Sequence, residues 1–346
     1  MKVIIEEQTF RERVESLAVR ESDDAWHPLK DRNYTEWWYF DVMDSNESIV
    51  RGHFYISRDL LRPGFLRNGV RASYVKADGT EFAIEDRFPP ASFTASTESC
   101  EVEIGKNYLK GSPSHCQIHI EVKENVLDLE LDSEMQGIRS HACFGDETKC
   151  MHWVVPQPRG RAQGIFRTGK ETYEIQGIGY RDHNWWNFSP MDVIKCWDWG
   201  RVYDDEFTVL FADILTTRRF ENARIKPLMI YDSSKLIYLT TESDKWSLSK
   251  MGKKYDAAKK TGHPETHRII SSEDDLSLEM DLHLQRVFQR IDPLAEFNPL
   301  IRWLIRTFKG KPAITSYHST GTGRLNISGQ HYPLNCSAVH EYVTNV

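Results

Sequence analysis

The chain has no run of ~18 apolar residues in its 346, so no transmembrane helix is expected. It also lacks a secretory signal. Residues 1–13 are mixed and charged after the short apolar Val3-Ile4-Ile5, with no hydrophobic core and no cleavage site. Its six cysteines, Cys100, Cys116, Cys143, Cys150, Cys196 and Cys336, contain no CxxC pair and no compact zinc spacing. Without an export signal, free thiols in a reducing cytoplasm are the expectation. A basic surplus is missing too. The net charge of −7 argues against a nucleic-acid partner, whose backbone requires a basic groove. Ser189 has no G-x-S-x-G elbow around it, which leaves hydrolase chemistry unsupported. Gly177-x-Gly179 has no third glycine and no following helix, so a dinucleotide cofactor is disfavoured.

What remains is rich in strands. Alternating apolar residues recur between turn-forming clusters at Asp44-Ser45-Asn46, Asp78-Gly79, Lys123-Glu124-Asn125, Arg167-Thr168-Gly169-Lys170 and Asp204-Asp205. Residues 276–284 carry Leu276, Leu278, Met280, Leu282 and Leu284 on one face. Helical periods between strands are missing, so a parallel α/β sheet is excluded in favour of an all-β, antiparallel barrel or sandwich. Two segments depart from this pattern. Residues 247–260 are polar and basic, a short helix or an exposed loop. Residues 287–308 hold a partly helical apolar stripe interrupted by Pro293 and Pro299. That segment caps the core, gates a pocket, or touches a membrane surface through Arg302, Arg306, Lys309 and Lys311.

The chemistry concentrates in two aromatic clusters. Tyr180-Arg181-Asp182-His183-Asn184-Trp185-Trp186 gathers an acid, an imidazole, an amide and two indoles, and Glu36-Trp37-Trp38-Tyr39-Phe40-Asp41 is its N-terminal counterpart. Four of the ten tryptophans lie between Trp185 and Trp199. Rings interleaved with titratable groups suit a pocket that holds an apolar molecule and moves a proton on it. They also suit an ordinary β core with paired N–H and O–H groups. Adding water to an alkene needs an acid, a shielded cation and a placed water. Asp182 is the candidate acid, and His183 its orienting partner or the holder of the water. The faces of Trp37, Trp38, Tyr39 and Trp185 would stabilise the positive charge, at roughly 0.5–2 kcal/mol per ring. If 180–186 is extended, Tyr180, Asp182, Asn184 and Trp186 share one face, and Arg181, His183 and Trp185 the other. The structural alternative has Asp182 capping backbone N–H groups or pairing with Arg181, and His183 as a hydrogen-bonded packing residue.

In order, Glu36-Trp37-Trp38-Tyr39-Phe40 and Gly177-Ile178-Gly179-Tyr180-Arg181-Asp182-His183-Asn184-Trp185 resemble the AttH-like and carotenoid 1,2-hydratase (hydroxyneurosporene synthase) proteins, to which fungal decalin-forming Diels–Alderases are distantly related. The resemblance runs from Trp37 to the closing Glu341-Tyr342-Val343. It implies two lipocalin-like β-domains, 1–190 and 191–346, and a small hydrophobic substrate, terpenoid or polyene-like, for hydration or cyclisation. The chemistry read from these residues calls for no cofactor, and Asp182, His183 and His53 have no recognised metal-ligand spacing, so no metal ion is expected. The family's glycine after the second motif's first tryptophan is replaced here by Trp186.

Further candidates for the pocket are His53, in the apolar Gly52-His53-Phe54-Tyr55 and so facing the first domain's interior, Trp153 beside His152, Trp197, and Glu341 as a second acid. The rival readings are a non-catalytic carrier, which needs an apolar cavity with few converging polar groups, and a pericyclase, which needs mainly shape and a few hydrogen bonds and gains rate by orientation. The sequence leaves the oligomeric state open.

Overall fold

The computed structural model describes residues 3–4, 17–58, 66–133, 135–144, 148–233, 235–256, 261–273, 275–295, 298–308 and 310–345. Phe297, Lys309 and residues 257–260 lie outside the described residues. The chain divides into two compact units, Ile4–Phe188 and Ser189–Val346, the latter with Met1–Val3.

β1 (Val3–Ile4) straddles the division, and the first unit contains β2 (Thr35–Asp44), β3 (Ile49–Arg58), β4 (Leu66–Val75), β5 (Glu81–Phe88), β6 (Phe93–Ala95) and β7 (Cys100–Ile104). It continues with β8 (Asn107–Gly111), β9 (His115–Val122), β10 (Asn125–Asp132), β11 (Ile138–Phe144), β12 (Lys149–Thr168) and β13 (Glu171–Trp186). Their order, β5-β4-β3-β2-β13-β12-β10-β9-β8-β7-β6, forms a nearly closed antiparallel barrel, with β1 and β11 beside β12. The hairpin turns follow the sequence signals: Gly79 and Gly169 take positive φ, which only glycine adopts without a Cβ penalty. Alternate residues fill the interior, among them Trp38, Phe40 and Val42 from β2, Val50, Phe54 and Ile56 from β3, and Ile118 and Ile120 from β9. Gly177 on β13 lies so close to β2 that a Cβ there would stand 2.0 Å from the Met43 carbonyl oxygen. The glycine serves strand packing, not a phosphate.

The second unit opens with α1 (Pro190–Val193) and β14 (Ile194–Tyr203), followed by β15 (Thr208–Thr216), β16 (Arg224–Ile225), β17 (Leu228–Tyr231), β18 (Leu236–Thr240) and β19 (Trp246–Met251). Next are β20 (Lys254–Asp256), β21 (Thr261–His263), β22 (Thr266–Glu273), β23 (Leu276–Ile291), α2 (Pro299–Phe308), β24 (Ala313–Ile327) and β25 (Gln330–Thr344). The main sheet runs β18-β17-β15-β14-β25-β24-β23-β22-β19. It curls round a core to which both ends of that path contribute. Phe211 of β15 meets Trp246 of β19 with ring centroids 6.1 Å apart.

The structure corrects several expectations. Residues 247–256 form neither helix nor loop, since β19 pairs with β22 and β20 with β21. Residues 287–291 belong to β23. Register shifts after Leu284 and Val287 bury the consecutive Val287 and Phe288, and that break in the two-residue period is what looked helical. The helix begins only at Pro299. It leaves Leu300, Trp303 and Leu304 exposed instead of capping the core with them. The thiols are not all free: Cys143 and Cys150 stand opposite each other on β11 and β12 and form a disulfide, while Cys100, Cys116, Cys196 and Cys336 are unpaired. This pairing removes the argument from free thiols to a reducing compartment. His53 sits on the face of β3 away from the interior, because Gly52 and Phe54 take the inward positions. Among the described residues no helix is long and apolar enough to cross a membrane.

Candidate functional site

β13 lies between β2 and β12 and pairs with β2 without a register break from Gly177 to Trp186. Its alternation therefore sorts the second motif onto two faces. Arg181, His183 and Trp185 point into the barrel, opposite Phe40, Trp38 and Glu36. Tyr180, Asp182, Asn184 and Trp186 point outward, opposite Asp41, Tyr39, Trp37 and Thr35. Asp182 and His183, paired as catalytic candidates in the sequence, are thus on opposite sides of one strand.

The inward face is a closed ionic network. Arg181 Nη1 donates to Asp24 Oδ2 at 2.6 Å, and Arg181 Nε to Gln157 Oε1 at 3.2 Å. Arg181 does not pair with Asp182. Burial alone would lower the Arg181 pKa, but the Asp24 charge and the Cys116 and Cys100 sulfurs outweigh it and raise it. His183 Nε2 lies 2.8 Å from Glu36 Oε1, and Tyr34 O–H donates to the other oxygen of Glu36. The His27 backbone N–H adds a bond of 2.9 Å to Glu36 Oε1. Burial pushes the Glu36 carboxyl up, yet the bonds from His183 and His27 and the His183 charge hold it below its ordinary value. Glu36 is therefore ionised, and His183 Nε2 carries the donated proton. Trp38 stacks on His183 at 4.6 Å, and Trp185 is sandwiched between His27 at 3.7 Å and His152 at 4.4 Å. The side chains of Asp24, Glu36, Arg181 and His183 have no exposed surface.

His27, Glu36 and His183 also offer three metal-ligand atoms within 4.8 Å of one another. The carboxylate oxygens are already committed to the His183, His27 and Tyr34 donors, so the donor set fits an organising network better than a metal site.

The outward face holds most of the other predicted residues. Asp182 Oδ2 accepts from Tyr180 O–H at 2.9 Å and from Trp153 Nε1–H at 3.2 Å, and Oδ1 accepts from Asn184 Nδ2–H at 2.8 Å. Burial, followed by the charge of Asp182 and the bond to it, raises Tyr180 well above the usual phenol value, so Tyr180 keeps its proton. Trp37 meets Trp186 edge-on at 4.6 Å, and Tyr39 lies 6.3 Å from Tyr180. His53 lies 6.5 Å from Trp37. Burial, with Arg71 and Arg51 nearby, pushes it down to about 3, which keeps it neutral. Trp197 and Glu341 belong to the second unit and share one face of its sheet, where Glu341 Oε2 accepts from Ser316 Oγ–H at 3.2 Å.

Asp24, His27, Tyr34 and Glu36 were not singled out from the sequence. A signal for Glu36 existed: it has the same parity as the inward Trp38, and a carboxylate carried into a core must find a partner.

No protein-family model and no curated protein sequence matches the chain. Solved structures do match it. NE1406 from Nitrosomonas europaea, a protein assigned the name AttH, superimposes with a TM-score of 0.64 at 13% identity, over 95% of this chain and 97% of its own. The fold is the AttH-like fold. CghA, solved with Sch210972, shares it with a TM-score of 0.56 at 11% identity, over 90% of this chain and 89% of its own. Kievitone hydratase from Nectria haematococca shares it with a TM-score of 0.56 at 12% identity, over 93% and 94%. In this chain β2 and β13 carry the two sequence motifs side by side, with β12 on the other edge of β13.

Proposed function

We propose that this chain is an enzyme of the hydratase or cyclase type. Its substrate would be a hydrophobic small molecule, terpenoid or polyene-like, laid across the outward face of β2, β13 and β12. The observation that carries the reading is a buried carboxylate, Asp182, held by three side-chain donors amid Trp37, Tyr39, Trp153 and Trp186. The shared fold of a hydratase supports it.

The three donors favour the carboxylate at rest, and an apolar ligand that excludes water favours the neutral acid. In that state Asp182 gives its proton to an alkene carbon, leaving a cation that the ring faces stabilise. Water adds to the cation and returns a proton to Asp182, so the net change is one water added. In a cyclisation an internal alkene attacks the cation, and loss of a neighbouring C–H proton restores the acid. No cofactor is required, and His183 acts from the other face only by fixing β13. It is a positioning residue.

Polyprenyl and polyene candidates incubated in deuterated water should gain carbon-bound deuterium, read by mass spectrometry. Asp182→Asn should bind the same compounds and lose the label entirely. Equal labelling by the variant would remove Asp182 as the acid, and turnover without label would point to a pericyclic reaction ruled by orientation. The carrier reading has its own support, since Asp182's three donors would equally serve a structural network. Saturable binding with no product from any candidate would favour it.

The exposed Leu300, Trp303 and Leu304 of α2, with Arg302 on the same helix, suit peripheral contact with a membrane that supplies such a substrate. Wild-type chain should co-sediment with anionic vesicles, and Leu300→Ser with Trp303→Ser should not. Equal sedimentation of the two would refute the contact.

A further inference from the structure

The strands of the second unit give its two ends opposite character. β14 begins where β15 ends, with Ile194 opposite Thr216. Thr344, the last residue of β25, pairs at that end with Cys196 of β14 and with Ala313, the first residue of β24. Ile314 of β24 in turn faces Ile291, where β23 ends. In the same sense β22 opens at Thr266, opposite Met251, the last residue of β19. Three long connections therefore leave the sheet at one end: 217–223, 252–265 with the β20–β21 hairpin, and 292–312 with α2. His263 of β21 packs against Tyr317 of β24 with ring centroids 6.3 Å apart, which draws the hairpin toward the strands that carry α2.

This rim is apolar and basic at once. Among the described residues every exposed large hydrophobic belongs to the second unit, and all but Ile270 stand here: Met251, Tyr255, Leu300, Trp303 and Leu304. Tyr255 is 66% exposed and follows the exposed Lys253 and Lys254. On α2, Leu300, Trp303 and Leu304 keep the i, i+3, i+4 spacing of one helix face, while Ile301 and Ile305 are half-buried. Apolar residues gathered on an exposed surface mark a contact face. Each of the three connections also carries more Lys and Arg than Asp and Glu: two against one in 217–223, four against two in 252–265, and four against two in 292–312. The other end of the sheet is the reverse. Its connections 204–207, 232–235 and 274–275 hold six acids and one base.

Charge complementarity selects the partner. A basic rim is drawn to an anionic surface, and the acidic end lies roughly 30 Å away along the ten residues of β14, beyond the reach of that surface's field. A second copy of the chain could present its acidic end, but among the described residues no exposed large hydrophobic stands there to cover the α2 stripe. A bilayer supplies both halves: anionic headgroups for Lys and Arg, and an interfacial zone that receives Trp and Tyr rings.

We propose that this entire rim is an oriented docking face for a membrane with anionic headgroups. Tyr255 of the hairpin enters the interface beside Leu300, Trp303 and Leu304 of α2, Lys253 and Lys254 engage the headgroups, and the acidic end is turned to solvent. This rests on the α2 contact inferred above and adds the hairpin, the selection for charge and the orientation.

The full chain is co-sedimented with vesicles of phosphatidylcholine alone and of phosphatidylcholine mixed with phosphatidylserine. The wild type should bind the mixed vesicles about tenfold or more tightly than the neutral ones, and should lose that preference at high salt. Lys253→Gln with Lys254→Gln should weaken binding to the mixed vesicles about tenfold and leave binding to the neutral ones unchanged. Tyr255→Ser should weaken both. Asp205→Lys with Glu206→Lys changes the net charge more, but at the far end, and should leave binding unchanged. All five positions are exposed, and an unaltered Tm checks that each variant is folded. Equal binding to the two kinds of vesicle, undiminished binding by the Lys253 and Lys254 variant, or tighter binding by the far-end variant overturns the proposal. So does self-association through the rim, seen as a sedimentation coefficient that rises with protein concentration in the wild type but not in Leu300→Ser with Trp303→Ser. If that α2 variant loses binding while the lysine variant does not, the α2 contact survives and the basic rim is refuted. Asp182→Asn should sediment as the wild type does, so the outcome is separate from the proposed chemistry.

Discussion

Consecutive residues of β13 do different work because each points away from its neighbour. Arg181 reaches Asp24 inside the barrel while Asp182 is held by Tyr180, Trp153 and Asn184 outside it. Removing one partner of a fully buried ion pair strands the other charge. Arg181→Met should therefore destabilise the first unit by about 3–5 kcal/mol, measured by denaturant unfolding, whereas Asp24→Asn with Arg181→Met together should recover part of that loss. Double-variant stability no better than the single would contradict the pairing. The candidate site was partly legible at this scale. The two motifs named the right strands, and strict alternation already divided Tyr180, Asp182 and Asn184 from Arg181 and His183. Glu36 and Asp24 escaped because their partners lie 147 and 157 residues away in sequence, a separation no local period reports.

The hairpins could be read from turn chemistry, since Gly79 and Gly169 have to take left-handed φ where the chain reverses. The elements that misled are those whose period is broken. The bulged end of β23 put Val287 and Phe288 side by side in the interior, and β19 is an edge strand with polar residues on its outer face. The β11–β12 disulfide was illegible for a related reason. Cys143 and Cys150 meet only because antiparallel register sets them opposite, and spacing alone does not reveal register. Closing so short a loop restricts the unfolded chain modestly, so Cys143→Ser with Cys150→Ser should cost about 2–3 kcal/mol at most. Differential scanning calorimetry with and without reductant checks it: the wild type should fall to the variant's Tm on reduction, and the variant should not respond.

For the molecule as a whole, buried neutral imidazoles set the response to acid. Burial pushes His267 down to about 3 and His318 to about 4, and holds His340 well below its ordinary 6.5. The unfolded chain takes up protons at these positions near pH 6.5, while the folded chain refuses them until much lower pH. Their contribution is therefore intact above pH 6.5 and declines as pH falls toward 4, by up to about 1.4 kcal/mol per pH unit for each group. Glu36, held below its ordinary value, adds a loss at still lower pH, as its carboxylate is protonated. Calorimetry should show a Tm that drops steadily from pH 7 to pH 4.5, and a shallower drop in His267→Phe. A flat Tm across that range would mean these rings are not sequestered. The all-β architecture was legible in the hairpin signals, but the outward-facing apolar stripe of α2 was not. An apolar stripe in sequence does not say whether it turns inward, and Leu300 and Trp303 turn out.

A strand that carries chemistry on both sides is intolerant of odd-numbered change. One residue inserted just ahead of Tyr180 would turn the rest of β13 inside out, driving a carboxylate into the greasy interior and a guanidinium away from its counter-ion. Two inserted residues would restore the orientation and shift only the height. Lineages that carry this strand should therefore vary around it in even steps or not at all.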